Sequence, residues 1–115
     1  MTYQQVFNYI QKQGGDRVVV RFSGGHDEGG ADSIRLFKED KELKNLSGLI
    51  GKQKPIEKAL CEPIESQFYG FDGEREVKGD LVWDCKTREV KMVWDQTSIT
   101  WKTHEMVFQE QNNNY

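Results

Sequence analysis

The spacing of hydrophobic positions changes several times along this chain, and each change marks a new element. Tyr3, Val6, Phe7 and Ile10 recur every three or four residues, which lays them on one helix face. Thr2 followed by Gln5 makes a capping-box pair at the start, and Gly14-Gly15 closes the run. The spacing predicts a first helix over about residues 3 to 13.

From Arg17 the period drops to two. Val18, Val20 and Phe22 share one side, and Arg17, Val19 and Arg21 share the other, as in a half-buried strand. The stretch RFSGGHDEGGADSI spans residues 21 to 34, and Ser33 to Lys38 then reads as a second strand. Two strands joined by a glycine-rich stretch predict a hairpin. Residues 39 to 54 break this rhythm. They are lysine-rich and carry Leu43, Leu46, Leu49 and Ile50, so they read as a short helix or as a loop with its leucines tucked beneath it. Gly48 and Gly51 weigh against the helix. Helical spacing returns at Ile56, Ala59, Leu60, Ile64 and Phe68, with Pro55 suited to the first helical position. Pro63 predicts a kink or a restart.

The last third alternates throughout, in VKGDLVWDC, EVKMVWD and TSITWKTHEMVF. Val77, Leu81 and Trp83 point one way while Asp80, Val82 and Asp84 point the other; Val90, Met92 and Trp94 share a face. The connections are short, which forces antiparallel neighbours and a three-strand meander ending near Phe108. The sum is an α+β fold. A sheet of about five antiparallel strands is covered on one face by an N-terminal helix and a proline-interrupted helical segment. Its other face is partly wet, which accounts for charges alternating with Val and Trp. One domain is expected over residues 1–110, with a disordered polar tail over 111–115.

Composition narrows the function classes. Hydrophobic residues make up 36% and net charge is only -3, so the signature of intrinsic disorder is not met. The same small charge excludes the basic excess of a dedicated nucleic-acid binder and the strong negative field of a nucleic-acid mimic. Cys61 and Cys85 form no ligand quartet and read as reduced thiols of a cytoplasmic protein. No run is long and apolar enough for a membrane span, and the N-terminus has no signal-peptide pattern.

The candidate chemistry centres on the glycine-rich stretch. Gly24, Gly25, Gly29 and Gly30 resemble a phosphate cradle, but no lysine follows as a P-loop requires, and Asp27, Glu28 and Asp32 would repel phosphate. His26 with those three carboxylates offers metal ligands, yet neither an EF-hand order nor a zinc-protease pattern is present. A plain hairpin tip needs only that glycine tolerates positive φ. No cofactor is expected.

Trp83, Trp94 and Trp101 fall on successive strands and read either as core or as an exposed aromatic platform; exposed, they could support a symmetric dimer. His104 lacks a neighbouring nucleophile and reads as structural. Both cysteines sit beside acids, which disfavours a catalytic thiolate. Asp80, Asp84 and Asp95 are placed to converge on one sheet face, with Lys78 and Lys91 between them.

The run VVVRFSGGHDEGGADSI resembles a strand followed by the G-x-D-x-G-x-x-D/E-x-I pattern of small bacterial and phage proteins that also end in an acidic, tryptophan-bearing meander. The size, the α+β layout and the MTYQQVFNYIQKQ start are similar to small mobile-element proteins that inhibit Cas9, the type II-A anti-CRISPR proteins. The resemblance implies a non-enzymatic protein that binds Cas9 or interferes with its guide-RNA loading, in a bacterial host cell. It carries no catalytic residues. On this reading the partner-binding residues are Asp27, Glu28 and Asp32 at the hairpin tip and Asp80, Asp84 and Asp95 on the meander. Lysines 38, 41, 44, 52, 54 and 58 would be available to guide RNA. The rival reading is a metal-dependent nuclease or hydrolase using His26, Asp27 and Glu28, with His104 as a further ligand. A third is an accessory binding domain for another partner.

Overall fold

The computed structural model describes residues 1–26, 28–68, 76–97 and 101–109. Its elements are helix α1 (Tyr3–Lys12), strands β1 (Arg17–Gly25), β2 (Glu28–Lys38) and β3 (Lys41–Asn45), a 3-10 turn (Ser47–Leu49), helix α2 (Pro55–Gln67), and strands β4 (Glu76–Asp84), β5 (Glu89–Thr97) and β6 (Trp101–Phe108). The strands form one antiparallel sheet in the order β3-β2-β1-β4-β5-β6. The expected α+β architecture holds, with six strands in place of five. Among the described residues no helix is long and apolar enough to cross a membrane.

The predicted capping box starts α1. The Thr2 hydroxyl accepts the Gln5 N–H at 3.1 Å, and the Gln5 side chain accepts the Thr2 N–H at 2.7 Å. Both helices bury their apolar stripe on one face of the sheet. Val6, Phe7 and Ile10 from α1, with Leu60 and Ile64 from α2, meet Val18, Val20, Phe22, Ile34, Leu36, Leu81, Trp83 and Met92. Trp83 is fully buried, and its indole N–H donates to the Leu60 carbonyl at 3.1 Å. Tyr3 and Phe7 meet its ring edge-on at 4.9 and 5.8 Å, so one side chain fixes α1 and α2 to the central strand β4. Trp94 is also core, packed edge-on to Phe68 at 5.3 Å. The side chain of Trp101 lies outside the described residues. For Trp83 and Trp94 the core reading therefore holds, and the alternative of an exposed aromatic platform does not.

Two further expectations are corrected. Within residues 39 to 54, Glu39 and Asp40 both take positive φ (51° and 68°) and turn the chain straight back into the unexpected strand β3, while the expected tucking of leucines holds for Leu46, which is buried, and for Leu49 and Ile50, which pack against the core. Every side chain of β3 is exposed, so no burial alternation marked it in the sequence. Pro63 does not restart the second helix. Its ring is buried, and the helix runs on to Gln67 with only the hydrogen bond to the Ala59 carbonyl forgone.

The glycine-rich stretch is mostly strand. Ser23, Gly24 and Gly25 pair with Gly30, Gly29 and Glu28, so the ladder runs almost to the tip. His26 has φ 53°, as the first position of a tight hairpin turn requires. Asp27 lies outside the described residues, as does the predicted tail at 111–115.

Candidate functional site

Helices fill one face of the sheet, and among the described residues nothing covers the other. At the centre of that open face lies a shallow depression of about 360 Å³, bordered by Arg21, Ser23, Asp32, Lys78, Asp80 and Asp95. Period-two alternation brings them together. Arg21 and Ser23 are out-facing on β1, Lys78 and Asp80 on β4, and Asp95 on β5, opposite the core positions between them. Arg21 is the cross-strand partner of Asp80, and Lys78 pairs across with both Ser23 and Asp95.

Asp32 joins them through a bulge. The β1–β2 register changes from Arg21 opposite Ser33 to Phe22 opposite Ala31, so Asp32 is the extra residue. It accepts a hydrogen bond from the Ser23 hydroxyl at 2.7 Å. Asp80 accepts from Arg21 Nε at 3.1 Å, and Asp95 accepts from the Thr103 hydroxyl. The Arg21 and Asp80 side chains remain 66% and 40% exposed, so water screens the pair and it contributes about 1 kcal/mol or less to stability. The Arg21–Asp80 pair therefore does little to hold the fold. Three carboxylates against two cations leave the depression mildly acidic.

The structure thus brings together three of the six carboxylates singled out from sequence: Asp32, Asp80 and Asp95. Asp84 lies at the far end of β4, where it accepts the Lys86 and Thr87 N–H groups at 2.9 and 3.3 Å and shapes the β4–β5 turn. Glu28 is exposed at the hairpin tip, opposite Gly25. Sequence reasoning passed over Arg21, Ser23 and Lys78 as site residues. Alternation had already put Arg21 on the outward side, but nothing in the sequence announced the bulge that turns Asp32 toward Ser23.

The metal reading gains no geometry. Among the described residues no group of three or more His, Cys, Asp or Glu side chains is placed to hold a metal ion. His26 Nε2 sits 3.9 Å from Glu76 at the tip. His104 stacks on Trp94, the rings 5.4 Å apart and inclined by 18°, and so belongs to the helix side of the sheet. Burial, then the neighbouring Glu57 and Glu65, pushes the Cys61 thiol up to about 11. Burial also raises Cys85 to about 11, and its sulfur lies 3.6 Å from the Phe7 carbonyl oxygen. Neither is a poised nucleophile. No family model, no curated protein and no solved structure matches this chain.

Proposed function

We propose that this protein is a non-enzymatic inhibitor that docks its open sheet face on a basic protein surface, with Cas9 as the partner to which the sequence resemblance points. One observation carries the docking reading. Asp32, Asp80 and Asp95, distant in sequence, meet on a rigid, solvent-facing sheet whose opposite face holds the core. A binding surface built on strands keeps its geometry with little ordering cost when a partner arrives. Its charges are arranged to steer encounter with a basic groove such as a guide-RNA channel.

Paired charge reversal tests this. Asp32→Lys with Asp95→Lys should weaken Cas9 binding by roughly a hundredfold, the range expected when two facing charge pairs become repulsive. Circular dichroism and the melting temperature should stay close to the parent. Asp84→Lys should instead lower the melting temperature through its turn and leave affinity nearly unchanged. Undiminished binding by the folded double variant would refute the assignment of this face.

A further inference from the structure

The two edges of the sheet are built differently. β3 has five residues, all exposed, including Lys41, Glu42 and Lys44, and its pairing with β2 is interrupted by a register shift. Shortness, charge and irregularity are the features by which edge strands refuse neighbours. β6 has eight residues and pairs with β5 in one unbroken register.

Three of the polar side chains that would guard the β6 edge are turned back onto β5, and Lys102 near the start of the strand stays exposed. Glu105 reaches Lys91 at 2.6 Å, the Thr103 hydroxyl donates to Asp95, and His104 stacks on Trp94. Meanwhile Met106 and Val107 are 39% and 48% exposed. Among the described residues this is a long, regular edge with exposed apolar residues, and of its charged side chains only Lys102 at its start has no salt-bridge partner on β5, which makes it a template for another strand.

We infer that β6 pairs antiparallel with β6 of a second copy about a two-fold axis, joining the two sheets into one. Closure favours a second copy over a foreign strand. Isologous pairing consumes both open edges at once and leaves only the two guarded β3 edges at the ends of the joined sheet. A foreign strand would create a new edge in place of the old one.

The residues also select a register. With His104 on the axis, Thr103 faces Glu105 of the second copy, and Lys102 lays its aliphatic stem beside Met106 of the second copy. No like charges are then directly opposite. Sliding by two residues one way sets Glu105 against its own copy. Sliding the other way carries Met106 and Val107 past the end of the strand. The Asp32–Asp80–Asp95 depression stays on the exposed face in this arrangement, so each dimer displays two.

Sedimentation equilibrium on the full chain tests the inference. A reversible rise from 13.4 kDa to twice that mass with concentration is expected. Met106→Lys and Val107→Lys should each raise the dissociation constant roughly tenfold or more while circular dichroism is unchanged. His104→Cys should give a disulfide-linked dimer under mild oxidation, and Lys102→Cys should not. A chain that stays monomeric at every concentration would overturn the inference, leaving the edge to a foreign strand. So would a dimer that neither lysine substitution weakens, or one that cross-links through position 102 in preference to 104.

Discussion

Gly79 shows how much one backbone position can demand. A Cβ there would come within 2.3 Å of the Val93 carbonyl oxygen and 2.7 Å of Trp94 Cα. Backbone cannot yield as a flexible side-chain tip can, so Gly79→Ala should destabilise the protein by about 1–3 kcal/mol or more, read by denaturant unfolding. Gly30→Ala is the control. Nothing lies within 4 Å of its added carbon, and the change should be within about 1 kcal/mol of neutral. Neither outcome was legible in the sequence, because a strand glycine signals close approach only once its cross-strand neighbour, here Trp94, is known. Trp83 and Trp94 were legible in period but not in depth. Alternation placed each on the same side as its apolar neighbours, and only packing against Tyr3, Phe7 and Phe68 decided that the side was buried.

At the scale of elements, Asp16 joins the ends of three strands. Its N–H donates to the Phe37 carbonyl, its carbonyl accepts the Cys85 N–H, and its carboxylate accepts from Glu39 N–H at 3.2 Å and lies 3.3 Å from Lys86 Nζ. Burial pushes its pKa up, but the Glu39 N–H, Lys86 and Arg17 together outweigh burial and hold it below the usual aspartate range. A carboxylate with a lowered folded pKa stabilises the fold above its unfolded value, and that contribution is lost as pH falls through the folded one. Asp16→Asn should therefore melt earlier than the parent near neutral pH, and the gap should close as pH drops well below 4. A gap independent of pH would assign the loss to packing. Elements with a buried stripe were readable from spacing: α1, β1, β4 and β5 fall where the hydrophobic period put them. β3 was not, because an exposed edge strand buries nothing and leaves no period. The unbroken course of α2 through Pro63 was equally hidden, since local propensity argues for a break and tertiary burial of the ring decides against it.

At the scale of the whole molecule, the described residues form a sheet with one face given to the core and the other to solvent. Charged side chains alternating with Val and Trp announced that division in the sequence. What alternation could not give is the strand order. β1 sits between β2 and β4, and that adjacency sets Ser23 and Arg21 beside Lys78 and Asp80. The bulge then adds Asp32, and the candidate site exists only at this scale. Its proposed role is recognition of a basic protein partner. The most direct test is gel-filtration co-migration of the full chain with Cas9, run with and without guide RNA, followed by inspection of the RNA. The account predicts a stable complex, intact guide, and loss of co-migration in the Asp32→Lys, Asp95→Lys double variant. Separate elution under both conditions, or a shortened guide, would contradict it.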